Sequence, residues 1–279
     1  KSGVALYGGF DPSVGATAWE DRDWNANPTI LSGDIGIEGD PADNSYHVFY
    51  HPAGTNLDST AVLDGFTITG GNANADAWPH WDGGGMNNNA SSPTVTNCTF
   101  TGNSARFGGA LYNHSSSSPT VTNCTFVGNS AVYTGGGVWS AYSAPVLTNC
   151  IFSGNSAGEF GGGVNNHSSN PTLINCSFSG NSAGDRGGGM YNENTSSPVL
   201  TNCILWSDTA PLGSEVYNAD TSVAALTYGI VQGGYTGTVN IDADPRFVDA
   251  DGPDNILGTD DDNLRLRIRS RAIDAGDNA

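Results

Sequence analysis

Apolar positions recur along this chain with a long period that no single helix or strand imposes. Cys98, Cys124, Cys150, Cys176 and Cys203 are separated by 26, 26, 26 and 27 residues, and Phe100, Phe126, Phe152 and Phe178 each follow a cysteine by two. Within each unit the order is Asn-Cys-x-Phe, so cysteine and phenylalanine share one face of a short strand, and that face is expected to point inward. A fixed period in the twenties marks a solenoid, in which each coil buries its apolar side only by stacking on its neighbours. Upstream, Val95, Val121, Val146 and Leu173 have the wrong parity to continue the same strand. The chain is therefore expected to bend at Asn97, Asn123, Asn149 and Asn175, because asparagine tolerates left-handed backbone. Asparagines stacked in this way can also hydrogen-bond along the column.

The rest of the coil reads as a small-residue turn, a glycine run and a third strand. Gly-Asn-Ser-Ala recurs at 102–105, 128–131, 154–157 and 180–183, and glycine runs follow at 108–109, 135–137, 161–163 and 187–189. The third strand is expected to place Leu111, Val138, Val164 and Met190 inward, and Tyr112, Trp139, Asn165 and Tyr191 outward. The period outlasts the cysteines, since Thr201 to Leu205 maps onto Thr227 to Val231 and Met190 to Asn192 onto Val216 to Asn218. Asp64 to Gly70 and Pro28 to Gly33 read as more divergent coils. The fold class is therefore all-β: a single-stranded parallel β-helix of about eight or nine coils, a rod on the order of 40 Å long. It is expected to span 1–248, most regularly over 85–231, with an acidic loop and a C-terminal strand or cap at 249–279. A β-sandwich shows turns every ~8–12 residues without identical residues returning at a longer period.

Composition agrees and narrows the partners. Glycine is very abundant (39 residues), the net charge is 9 − 28 = −19, and Lys1 is the only lysine. Nucleic acid and anionic membrane need basic patches, which this chain lacks. No apolar run reaches the length of a transmembrane helix and no signal peptide is visible; opening at Lys1 without methionine suggests a processed or excised piece. Five cysteines at equivalent positions cannot pair completely, and a buried thiol ladder is favoured over disulfides. The sequons at Asn97 and Asn123 arise from the repeat and belong to the coil.

Candidate chemistry lies where the repeat varies. Arg106-Phe107, Tyr133-Thr134, Glu159-Phe160 and Asp185-Arg186 should stack along one edge, and the preceding coil inserts Asn72 to Asp82 there, with Trp78, His80 and Trp81. Rings beside carboxylates and guanidiniums suit carbohydrate, because ring faces pack on sugar C–H surfaces while charged groups bond hydroxyls. Large turn residues capping the open coil edges would give the same pattern. Glu159 and Asp185, on adjacent coils, resemble the carboxyl pair of a glycosidase, and Arg106, Arg186 and His80 are the groups a lyase would have available. Near the C-terminus, Asp249, Asp251, Asp254, Asp260, Asp261 and Asp262 offer many oxygens around Gly252, as a structural calcium ion requires, although the spacing is not that of an EF-hand. Arg265, Arg267, Arg269 and Arg271 alternate with Leu264, Leu266 and Ile268, the pattern of a strand with one wet face.

The Phe-x-x-Asn elements (Phe100/Asn103, Phe126/Asn129, Phe152/Asn155, Phe178/Asn181) with Gly-Gly-Ala-Leu at 108–111 resemble right-handed parallel β-helix repeats of polymorphic outer-membrane proteins; the other coils depart by having Gly-Gly-Gly before Val or Met. Leu6 to Phe10, Arg22-Asp23-Trp24, Asn27 to Asp34, Asp244 to Asp249 and Ala272 to Gly276 resemble secreted proteins with a choice-of-anchor C-terminal region. The resemblance implies an exported, displayed protein, but not a particular activity. The expectation is an extracellular or cell-surface β-helix with a structural or adhesive role, without catalysis, and able to bind further copies of itself. The alternative is a polysaccharide-binding or polysaccharide-degrading β-helix. A third, ice binding, would need a flat threonine face, which Thr99 and Thr125 begin and Ile151, Ser177 and Ile204 interrupt.

Overall fold

The computed structural model describes residues 1–11, 13, 18–259 and 261–275 as an all-β parallel solenoid. A representative coil runs through Thr94–Thr96, Thr99–Thr101, Ser104–Phe107 and Leu111–His114 before the next coil opens at Thr120. Each segment pairs in parallel with its copy one coil on, giving faces of eight, eight, five and seven strands in that order around the coil. The coil therefore has four sides where three were expected. The Gly-Asn-Ser-Ala segment, read as a turn, supplies the extra strand: Ser104 and Ala105 pair with Ser130 and Ala131. Side chains this small carry no alternation, so the strand left no hydrophobic trace.

Six coils, entered at Thr94, Thr120, Val146, Thr172, Val199 and Ala225, keep the 26- to 27-residue spacing. The estimate of eight or nine coils is thus somewhat high, because the earlier rungs, Ala5–Tyr7 with Thr29–Ser32 and Val62–Asp64 with Phe66–Thr69, are irregular and widely spaced.

The interior is built from columns. Phe100, Phe126, Phe152 and Phe178 are fully buried and stack face to face with centroids 5.1, 4.8 and 4.5 Å apart. All five cysteines are buried free thiols; each sulfur from Cys124 onward lies 3.6–3.7 Å from a carbonyl of the preceding coil. The bend asparagines hold φ of 51–56° and form a ladder at the rod surface, with Asn123, Asn149, Asn175 and Asn202 each donating to the asparagine one coil earlier. One upstream register needs correction. Leu147, not Val146, joins Val95, Val121 and Leu173 inside, while Val146 faces solvent at 38% exposure.

A second, fully buried ladder runs through Asn103, Asn129, Asn155 and Asn181. Asn155 Nδ2, for example, donates to Phe126 O at 2.8 Å and to Asn181 Oδ1 at 2.9 Å, while its Oδ1 accepts from Asn129 N and Nδ2. Inside this ladder each amide is satisfied by its copies and by backbone carbonyls, which is what a polar group inside a coil requires. The glycine runs let the third and fourth sides meet closely. A Cβ on Gly109 would lie 2.3 Å from Gly136 O and 2.4 Å from Ser130 O, so no larger residue fits there.

The two ends are finished differently. At the first rungs, Arg22 is enclosed by Tyr7, Phe10, Trp19 and Trp24, with its guanidinium carbon 4.6–5.7 Å from their ring centres, and it makes two 3.1 Å contacts to Asp64. The Leu6–Phe10 and Arg22–Trp24 motifs are thus one clamp. At the other end the chain returns along the outside. Phe247–Asp249 pairs antiparallel with Asn263–Leu266, and Phe247 and Leu264 pack on Ile204 and Ile230. This tail covers part of the Thr99-to-Ile204 face. The alternation stops at Leu266, and Ile268 is 86% exposed in the turn that follows. No helix among the described residues is long and apolar enough to cross a membrane.

Candidate functional site

The variable edge forms as one row. Asp82, Phe107, Thr134, Phe160, Arg186 and Leu212 pair in sequence along the outer margin of the third side, and Arg106 N donates to Trp81 O. Immediately beside this row stands the outer face of the fourth side, with Tyr112, Trp139, Asn165, Tyr191 and Tyr217 in register. These residues point away from the core as expected, yet Tyr112, Asn165 and Tyr191 are buried, with Trp139 stacked on Tyr112 and the edge residue Phe160 stacked on Tyr191.

The predicted edge residues therefore separate into three groups along one side of the rod. In the first, Arg106 pairs with Asp76 at 2.5 Å and lies 5.5 Å from the Trp81 ring, Trp78 is 54% exposed, and His80 stacks on Tyr46. In the second, Phe107 meets Tyr133 and Trp139 at 5.3 and 5.7 Å. In the third, Phe160 stacks on Tyr191 at 4.6 Å and Arg186 lies 5.2 Å from Tyr217. Glu159 is exposed and Asp185 half-buried, and Asp185 contacts its neighbour Arg186 at 3.4 Å. Much of the aromatic surface at this edge is thus spent on internal stacking.

Sequence reasoning missed what lies next to it. His114, Trp139, Tyr142 and His167 converge on the fourth side: Trp139 is stacked on Tyr112 at 4.7 Å, and the Tyr142 ring stands edge-on to His167 at 5.5 Å. Tyr142 is 57% exposed, and Trp139, His114 and His167 are partly accessible. His167 also meets Glu193 at 3.0 Å. The signal was partly present: Trp139 reads in one outward column with Tyr112 and Tyr191, and Tyr142 stands where other coils have Ala90, Ser115, Ser168 and Asn194, but their meeting with His114 and His167 in one patch was not legible. At the start of the row, Asp82 is buried, and burial pushes its carboxyl up to about 7 although Tyr112 and Trp81 point donors at it.

The acidic tail is arranged as a turn network. Asp262 Oδ2 accepts from Ser153 Oγ at 2.8 Å and from Gly258 N at 2.7 Å, tying the loop to the rod, while Asp261 accepts from Thr259 and from Asp254 N. Asp249 ends its strand, Asp251 lies in the following turn, and Asp260 lies outside the described residues. Among the described residues no three His, Cys, Asp or Glu side chains group to hold a metal ion. The ion pairs found among them do not join Arg265, Arg267, Arg269 or Arg271 to this loop.

A second omission is at the last rung. Asp208 takes the position of Asn181 in the buried ladder, and Glu215 that of Gly189. Both are buried, at 4% and 6% exposure, and both line a cavity of about 520 Å³ with Ser207, Thr209, Ser214, Gln232 and Tyr235. Burial is the largest cause raising both carboxyls; repulsion from Glu215 adds to it at Asp208, and Glu215 is pushed up to about 7. A carboxylate replacing an amide and a glycine in one coil was legible in the sequence. Its significance depended on both being enclosed together.

Residues 42–178 match the protein family described as a right handed beta helix region. No curated protein and no solved structure matches the chain. The matched segment covers the insertion at 72–82 and the regular coils through Phe178, and together with the parallel strand pairing it supports a right-handed β-helix repeat protein.

Proposed function

We propose that the chain is an exported, extracellular or cell-surface rod with a structural or adhesive role, and that its fourth side binds carbohydrate. The observation supporting this is the patch of rings beside the edge, where Tyr133, Trp139 and Tyr142 stay accessible on one coil, with Tyr133 packed on Phe107 and Trp139 stacked on buried Tyr112 of the coil before. Rigid rings with His114, His167 and Glu193 beside them supply flat apolar contact and hydroxyl partners at little entropic cost. His114, His167 and Glu193 lie on the neighbouring coils, so a linear polymer lying along the rod would meet the rings on one coil and polar partners on the coils beside it.

Binding to a panel of acidic and neutral polysaccharides tests the proposal. Trp139→Ala with Tyr142→Ala is expected to weaken binding by about tenfold or more at unchanged far-ultraviolet dichroism, about 1.4 kcal/mol. Failure of the native chain to bind any of the panel overturns it. Cleavage of the bound polymer is a second reading, favoured by Asp82, a buried carboxyl poised near neutrality at the head of the same row. New reducing ends or unsaturated sugars, lost in Asp82→Asn, would establish it.

A further inference from the structure

We propose that Asp208 and Glu215 are the anionic ligands of a divalent-cation site at the C-terminal end of the rod, with calcium the ion that its carboxylate, hydroxyl and amide oxygens suit. The site is distinct from the carbohydrate face and from the acidic tail loop, and it does not depend on the proposed function.

At each asparagine of the buried ladder, Oδ1 accepts from the coil before and Nδ2 donates to the coil after. Asp208 keeps the first half of that pattern: its Oδ1 accepts from Asn181 N and Nδ2, both at 2.8 Å. Where the donor should be, it has a second oxygen. Asp208 Oδ2 and Glu215 Oε2 are both buried without a hydrogen-bond partner. With one proton the two carboxyls can hydrogen-bond to each other, but when both are ionised they are acceptor-only groups facing each other and need a cation between them.

Among the described residues no arginine or histidine forms an ion pair with either carboxyl. The contrast with Asp64, which ends the surface ladder by accepting from Asn97 Nδ2 and is neutralised by Arg22, is direct. The cavity has room for a hydrated ion, and the hydroxyls of Ser207, Thr209 and Ser214 line it. The strands of the third and fourth sides end with Ser182–Ala183, extended by a single bridge to Thr209, and Val216–Asn218, and among the described residues no further strand pairs with them beyond the opening. A net charge of −19 raises the local concentration of cations around it.

The test uses the full chain, stripped with chelator and held at pH 8. Millimolar calcium is expected to raise the melting temperature by about 4 °C or more. Asp208→Asn with Glu215→Gln, which preserves shape, is expected to abolish the shift, whereas Asp254→Asn with Asp261→Asn in the tail leaves it intact. Terbium supplies a second readout: its emission, excited through Tyr235 at the cavity wall, should be lost in the first double variant and quenched by added calcium. If neither calcium nor terbium acts on the native chain, the pair holds only a proton and the proposal fails. It fails equally if the Asp208/Glu215 variant responds like the native chain, or if only the tail variant loses the response.

Discussion

Two polar ladders in this rod end in an aspartate, and the two ends are opposites. Asp64 terminates the surface asparagine ladder against Arg22, whose guanidinium is itself packed among four rings. Asp208 terminates the buried ladder against Glu215, with an unpartnered oxygen on each. An asparagine ladder is self-satisfying in its interior because each rung both donates and accepts, but its last rung has a valence left over. How that valence is met separates a closed structural end from one that stays responsive to its surroundings.

The largest effect expected from breaking this comparison is at the closed end. Arg22→Ala leaves Asp64 buried without its partner and should cost about 3–5 kcal/mol, read as a lower midpoint in guanidinium. Unchanged stability would mean that the clamp contributes nothing. Next, Asn155→Ala in the middle of the buried ladder removes one rung and leaves Asn129 Nδ2 and Phe126 O each short of a partner. A loss of about 2–3 kcal/mol is expected by the same measurement.

The open end and Asp82 should show themselves through pH. Asp82 and Glu215 titrate at about 7 in the folded chain against ordinary values of 3.8 and 4.5, so between those limits the folded state holds more protons than the unfolded one. Stability is then full below about pH 4, falls as pH rises to about 7, and levels off above it, by at most ~1.4 kcal/mol per unit for each group. In metal-free buffer, melting temperatures at pH 5 should exceed those at pH 8, and Asp82→Asn with Asp208→Asn and Glu215→Gln should flatten the profile, since burial raises Asp208 as well. The smallest effect sharpens the contrast most. Asp208→Asn keeps the acceptor for Asn181 and adds a donor toward Glu215, so without metal at pH 8 it should stabilise by about 1 kcal/mol. Asn155→Ala, on the same ladder, acts with the opposite sign.

Much of the rod was legible in the sequence because each coil repeats the same local physics. The cysteine and phenylalanine columns, the left-handed asparagine bends and the continuation to Val231 all follow from residues that recur at one period. Two errors show where the period stops helping. Val146 and Leu147 are both apolar, so hydrophobicity could not choose between them; the distance to the Asn149 bend does. Ser104 and Ala105 are too small to declare a face, so the third side reads as a turn, whereas the Leu111 and Tyr112 columns of the fourth side were legible.

By itself, then, the sequence determined the solenoid and the contents of its core columns, since stacking like on like needs only a period. Tertiary structure alone decided which departures are enclosed and which are open to solvent. Trp78 and Tyr142 departed from the repeat and stayed exposed, whereas Asp82, Asp208 and Glu215 departed and were buried. Burial depends on where a neighbouring coil, edge or tail happens to lie, and that sets the dielectric and the missing partners that give a carboxyl its chemistry.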